Sequence, residues 1–300
     1  MALPTFIIAG APKSGTTALW AYLKEHPDIC MARRKEPGFF SDDLGELDKP
    51  IHKMGSGGLQ PGRLKKGMTW YKELFNSCHE KQELGEASVR YFSCPNSTSL
   101  IKSTLPHIKL IFLLRHPVER LYSQYWNEIR KGLKLPDFIT MVKNNHPRFQ
   151  YYHKVSSYKC NLERYYKNFP DNQILILINT DLKTKPLETI QQVFEFIGVD
   201  KTFIPENLGK SFNKQAKPTF PIVQRILMKY SARISAYVPE QIHPYLRPIR
   251  KFIWEFNLKE RKQLPPSIPS SIRQQLAHDF EEDIVYVEKL LGRDLSTWRT

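Results

Sequence analysis

Residues 6–19, FIIAGAPKSGTTAL, constrain this chain more than any other stretch. Bulky apolar residues from Phe6 to Ile8 predict a short strand, Gly10 and Gly15 frame a loop, and Thr16 and Thr17 open a helix. Backbone N–H groups in such a turn, with the positive end of the helix dipole behind them, converge on one small volume that suits an anion. The glycine spacing fits the nucleoside-triphosphate loop GxxxxGK[ST], but Thr16 stands where the lysine belongs and the lysine lies inside the loop, at Lys13. From that position Lys13 meets a single 5′-phosphate group near its bridging oxygen, so the loop reads as one for a phosphate donor without a β,γ-pair. The bare glycine spacing is equally consistent with a plain turn between a strand and a helix; the full string PKSGTT is the more specific signal.

The rest of the chain repeats the alternation. A first helix is predicted over residues 17–25, a short helix over 69–76, a strand over 84–92, a helix over 96–105 and a strand in KLIFLL, 109–114, whose unbroken apolar run suits burial on both faces of a parallel sheet. Helices over 158–169 and 187–197, the latter closed by Gly198, flank a further strand over 173–179. A last helix is predicted over 270–291. This order is that of a three-layer α/β domain with a central parallel sheet and helical C-terminal additions. Three hundred residues accommodate one such domain or two small ones, and the reading adopted is a single domain over 1–300.

Two further segments carry candidate chemistry. In RHPVERLYSQYW, Arg115 stands at the carboxyl end of the 109–114 strand and Ser123 about two turns into the next helix. The two groups are placed to share a second phosphate, although an arginine after a strand is often a structural ion-pair partner. In RRKEPGFF, Glu36 is pinned between apolar anchors at Phe39 and Phe40, a way to aim one carboxylate; a solvated surface glutamate fits the same residues.

Composition bounds the partners. The net charge of +15 points to something anionic, whether nucleic acid, an acidic glycan, a nucleotide or a membrane surface. No secretory signal or spanning segment is visible, and a soluble cytoplasmic chain is expected. Cys30, Cys78, Cys94 and Cys160 lack CxxC spacing, which suggests neither zinc nor a redox pair but four buried or idle thiols. Residues 41–67 are polar and glycine-rich and read as a mobile loop or lid. The basic segment 222–256 reads as an acceptor groove, a pocket cover or a membrane-facing surface.

Taken together, PKSGTT, LLRHPVERLYSQY and KEPGFF resemble the motifs of sulfotransferases that use 3′-phosphoadenosine 5′-phosphosulfate (PAPS), most closely the glycan, heparan-type group and its bacterial relatives. The resemblance implies that Lys13, Ser14, Gly15, Thr16 and Thr17 hold the 5′-phosphosulfate and that Arg115 and Ser123 hold the 3′-phosphate. It further implies Glu36 as catalytic base, Lys13 as stabiliser of the leaving phosphate, and a carbohydrate or small-metabolite acceptor, with PAP as product. No metal is expected. NKQAKPTF, 213–220, is a loose match to a late donor clamp and would make Lys217 a donor ligand. The chain departs from the pattern at Ala18, where cytosolic relatives carry tryptophan, and at Ala87, where the glycan enzymes carry lysine. His116 is the competing base. The competing functions are a P-loop kinase of a small metabolite and a nucleic-acid binder; the latter lacks a recognised motif.

Overall fold

The computed structural model describes residues 3–41, 64–210 and 266–300, together with the backbone of two short strands at 216–218 and 258–260. The chain starts in β1 (Phe6–Gly10), whose five residues are all buried, and passes through a loop into α1 (Thr16–Leu23) and the three-residue strand β2 (Ile29–Met31). After α2 (Gly67–Glu73) come β3 (Glu83–Ala87), a 3₁₀ turn at Val89–Phe92, α3 (Ser97–Thr104) and β4 (Lys109–Leu114). Four helices follow: α4 (Pro117–Arg130), α5 (Phe138–Lys143), α6 (Pro147–Ser156) and α7 (Tyr158–Tyr166). They lead to β5 (Ile174–Ile178), α8 (Asn179–Thr184) and α9 (Pro186–Ile197). The strands β6 (Ala216–Pro218) and β7 (Leu258–Glu260) pair antiparallel, and α10 (Ser270–Asp279) and α11 (Glu281–Leu291) end the helical part.

Five strands form one parallel sheet in the order β2-β3-β1-β4-β5. β1 is central, with Phe6 opposite Gly85 on one side and Lys109 on the other. Its side chains alternate: Ile7 and Ala9 enter a core shared with Phe112, Leu121, Leu162 and Ile284, whereas Phe6 and Ile8 enter a second core with Leu19, Ile111, Val193 and Phe194. The two cores lie on opposite faces of the sheet, which gives the three-layer α/β architecture expected from the strand–helix alternation. α9 shows why these residues choose a helix: Pro186 occupies its first turn, Ile190, Val193, Phe194 and Ile197 line one buried face, and Gly198 caps it at φ 98°.

Helices α5, α6 and α8 and strands β6 and β7 add to the expected elements, and four further features differ from expectation. The strand predicted over 84–92 stops at Ala87, where its pairing with β1 ends opposite Ile8; the chain then turns at Ser88 and buries Tyr91 and Phe92 from a 3₁₀ turn. The helix predicted over 270–291 is two helices meeting at Phe280, whose fully buried ring fixes the corner. Strand β2 escaped notice because three residues carry no readable period.

The cysteines are the fourth difference. Cys30 and Cys78 form a disulfide, so the reading of four buried or idle thiols is corrected: the fold brings β2 and the turn after α2 to a Cα separation of 5.6 Å at a sequence separation of 48. Cys94 is a buried thiol and Cys160 an exposed one. The anticipated lid, 41–67, lies mostly outside the described residues, as does the basic segment 222–256. No helix among the described residues is long and apolar enough to cross a membrane.

Candidate active site

Because the sheet is parallel, the carboxyl ends of β3, β1 and β4 lie side by side at one edge, the place where open α/β sheets bind ligands. The loop after β1 carries Lys13, Arg115 follows β4, and the segment after β2 crosses over to set Glu36 against the end of β3.

The loop after β1 is anchored at its start by the Ala11 amide, which donates to the Leu113 carbonyl at 2.9 Å. Lys13 and Gly15 take left-handed conformations, at φ 69° and 102°, which turn the chain sharply into α1. Gly15 is the N-cap and offers no side chain to the first turn, so the amides of Thr16 and Thr17 open onto the loop without a cap. A Cβ on Gly15 would lie 2.6 Å from Asn179 Nδ2, and its φ already disfavours any side chain. Asn179, at the carboxyl end of β5, donates from Nδ2 to the Ser14 carbonyl at 2.5 Å and so latches the loop to the strand beyond β4. The Ser14 hydroxyl is fully buried and forms no hydrogen bond of good geometry, with the Tyr158 hydroxyl beside it. Burial, reinforced by Arg130, Lys131, Arg115 and Arg120, lowers the Lys13 ammonium to about 7. A cation surrounded by cations, next to an unsatisfied hydroxyl and open helix amides, is a site that gains from an anion.

Arg115 follows β4 directly. Its Nη1 lies 3.5 Å from the Lys13 carbonyl oxygen and its Nη2 donates to Glu119 Oε2 at 3.2 Å, so the guanidinium faces the loop and is within reach of the same ligand. Its own carbonyl accepts from the Tyr158 hydroxyl at 2.5 Å, which sets the backbone from which the side chain leaves. Glu119 also pairs with Arg273 of α10. Ser123 is half-buried two turns along α4, and β6, the strand that carries Lys217, lies against the same helix. His116 is not placed as a base: its Nδ1 accepts from the Val118 amide at 3.3 Å and caps α4, and its ring stacks on Trp298. Burial, with Arg273 adding to it, lowers this imidazole to about 4.

Glu36 sits at the end of β3. Its amide donates to the Ala87 carbonyl at 2.8 Å, Oε2 accepts from the Val89 amide at 3.1 Å, and Oε1 accepts from Lys35 Nζ at 2.8 Å. The residue holds φ 59°, a conformation that costs a non-glycine residue about 1 kcal/mol, and its carboxylate is 39% exposed. The expected apolar anchors are present: Phe39 and Phe40 are buried, and Phe39 stacks on Tyr71 at 4.4 Å. Ala87, in the position where the resemblance implied a lysine, is buried in the second core and serves Glu36 through its carbonyl.

The row at the sheet edge is therefore Glu36, Lys13, Arg115, in the order of the strands β3, β1, β4. Two contributors go beyond the expected set: Asn179 and Tyr158 act through contacts across 165 and 43 residues of sequence, and no local pattern announces such pairs.

Comparison with known proteins gives the family and the fold. A sulfotransferase domain model matches residues 3–237. The chain is 27% identical over 267 residues to heparan sulfate glucosamine 3-O-sulfotransferase 3A1 of Mus musculus, covering 86% of this chain and 62% of that protein. It is 26% identical over 219 residues to the human bifunctional heparan sulfate N-deacetylase/N-sulfotransferase 3, covering 66% of this chain and 22% of that protein. The chain thus spans less than two thirds of the length of these relatives. A sulfotransferase from Alicyclobacillus acidocaldarius shares the fold, with a TM-score of 0.71 at 23% identity and full coverage of both chains.

Proposed function

This chain belongs to the sulfotransferase domain family, and from that premise we propose that it transfers a sulfuryl group from PAPS to a hydroxyl or amine of a carbohydrate or small metabolite. The observation that carries the reading is the alignment of Glu36, Lys13 and Arg115 on adjacent strand ends, with Arg115 Nη1 at the Lys13 carbonyl. Two anion sites that close together fit one nucleotide carrying a phosphate at each end.

The loop from Lys13 to Thr17 would hold the 5′-phosphosulfate through the amides of Gly15, Thr16 and Thr17, the Ser14 hydroxyl and Lys13. Arg115 and Ser123, with Lys217 of β6 as a third ligand, would hold the 3′-phosphate. Bound there, PAPS supplies an activated sulfuryl group on a phosphate leaving group. Glu36 accepts the proton of the acceptor hydroxyl or amine as that atom bonds to sulfur, assistance worth roughly 10²–10⁴ in rate. Lys13, protonated once an anion is beside it, donates to the oxygen between phosphorus and sulfur as the S–O bond breaks; a preorganised donor of this kind contributes about 3 kcal/mol. Glu36 must exchange its ion pair with Lys35 for the acceptor, and the exposed side of the carboxylate leaves room for that.

Heparan sulfate is named in the relatives' activities, and the net charge of +15 suits an acidic polysaccharide, so a heparan sulfate oligosaccharide is the first acceptor to try. The disulfide sets the compartment at odds with the cytoplasmic reading, since such bonds persist where the surroundings are oxidising. The test has two parts. PAP should stabilise the protein against heat whereas ATP with magnesium should not; the reverse result would move the chain to the kinase reading. Labelled PAPS offered with a panel of oligosaccharides and small alcohols or amines should yield a sulfated product, and Glu36→Gln should lower its rate at least 100-fold. Turnover by Glu36→Gln within a few-fold of the parent removes the glutamate from the role of base.

A further inference from the structure

Glu86, fully buried on β3, touches none of the residues that would meet a ligand, yet it accepts three hydrogen bonds. Tyr71 and Tyr91 donate to Oε1 at 2.8 and 3.0 Å, and Ser88 donates to Oε2 at 2.8 Å. Two of these hydroxyls continue outward. The Gly38 amide donates to Ser88 Oγ at 2.9 Å, and the Phe40 amide donates to Tyr91 Oη at 3.2 Å. Both amides belong to the segment that begins with Glu36, so a carboxylate beneath the sheet edge is connected through two hydroxyl relays to the backbone on which the candidate base is mounted.

We propose that Glu86 is a positioning residue for Glu36: as a carboxylate that can only accept, it fixes the direction of both relays and thereby holds the 36–40 turn in the conformation that aims the Glu36 side chain. The reasoning is one of donor and acceptor count. A hydroxyl has one proton and two lone pairs, so its proton can point inward to Glu86 or outward to the loop. An outward proton would meet the Gly38 or Phe40 N–H head-on and leave the amide without its acceptor, at a cost of about 1–3 kcal/mol for the buried Phe40 amide and less for the half-buried Gly38. An ionised carboxylate draws both protons inward and leaves a lone pair for each amide. Tyr71 supplies a third donor without a link to the loop amides; its ring instead stacks on Phe39.

Such fixing matters because Glu36 stands in a left-handed conformation that the chain would otherwise leave. Burial raises the Glu86 carboxyl to about 7, against the hydrogen bonds from Tyr71, Ser88 and Tyr91 that hold it down and with a smaller push from Glu36. Those four residues, from α2, the 3₁₀ turn and its lead-in, and the 36–40 segment, are the groups that face it. A proton on Glu86 turns one of its oxygens into a donor and opposes an inward hydroxyl, so the relays loosen as pH falls through this range.

The inference rests on Glu36 as base, and the experiment separates the two. Amide hydrogen exchange is followed by NMR in the full chain, corrected for intrinsic rates, with PAP affinity measured alongside. Glu86→Gln should speed exchange at Gly38 and Phe40 at least tenfold while PAP affinity stays within twofold. Ser88→Ala should speed Gly38 alone and Tyr91→Phe should speed Phe40 alone, two milder changes that serve if Glu86→Gln does not fold. In the parent protein, exchange at both amides should rise as pH drops below about 7, and in Glu86→Gln that dependence should vanish. Unchanged protection of Gly38 and Phe40 in these variants, or a pH dependence that persists without the carboxylate, overturns the assignment. Glu36→Gln, by contrast, should leave both amides protected, so its activity result judges the base without judging the network.

Discussion

Lys13 carries the sharpest consequence of a single side chain's surroundings. Burial and four neighbouring cations lower its ammonium to about 7, so above that pH the ligand-free protein holds it largely neutral. A phosphate beside it reverses the balance, because an anion favours the charged form. Binding of PAP at pH 8 should therefore take up about one proton, and affinity should fall roughly tenfold per pH unit above 7. Calorimetry in two buffers of different ionisation enthalpy measures the uptake, and Lys13→Met should abolish it; uptake unchanged in that variant would assign the proton to another group. In the ligand-free protein the lowered value has the opposite sign for stability. The unfolded chain binds the proton more readily between about 7 and 10.5, so this residue makes the fold more stable as pH rises through that window.

At the scale of elements, the sequence made the strand–loop–helix units legible where the pattern was local. FIIAG, KLIFLL and ILILI are short apolar runs that suit a strand within a parallel sheet, and α9 has its proline, apolar face and terminal glycine in order. Whatever depends on partners distant in sequence was not legible. The bend after Ala87 follows from where β1 ends, and the Cys30–Cys78 bond follows from the placement of β2 beside β3. Lys13, Arg115 and Glu36 were readable because each lies in a short string of its own; Asn179, which clamps the loop from β5, lies in none. Asn179→Ala should cost about 1–2 kcal/mol of stability by leaving the buried Ser14 carbonyl unpartnered. It should also weaken PAP binding several-fold, since the loop is freed at the end nearest α1; thermal melts and titration calorimetry read the two effects. The disulfide makes a complementary prediction. It closes the stretch that contains Glu36 but excludes Lys13, so reduction should lower the melting temperature by roughly 5–10 °C, about 2–4 kcal/mol, and leave PAP affinity within twofold. A large loss of donor affinity on reduction would show that the bond supports the phosphate loop as well.

For the whole molecule, the arrangement of the two cores bears on whether the chain is one domain. β1 and β4 each send alternate side chains to opposite faces: Ile7 and Phe112 to one core, Ile8 and Ile111 to the other. Neither layer can open without exposing strands that the other layer needs. The C-terminal part is tied in the same way, with Ile284 and Val287 buried in the first core, Trp298 stacked on His116 beside the end of β4, and Asp283 accepting from the Lys159 amide at 2.8 Å. We therefore propose a single cooperative domain. Phe194 lies in the second core, on the opposite face from Trp70, Trp126 and Trp298. Phe194→Ala should cost about 3–5 kcal/mol. If the layers unfold together, the tryptophan signal of a Trp20→Phe, Trp254→Phe background, which keeps the first-core Trp70, Trp126 and Trp298 and removes the second-core Trp20, should move to the same lower midpoint as far-ultraviolet circular dichroism. Calorimetry should show one transition in the parent and in the variant. A tryptophan midpoint that stays put while the circular dichroism shifts would divide the chain into separate units.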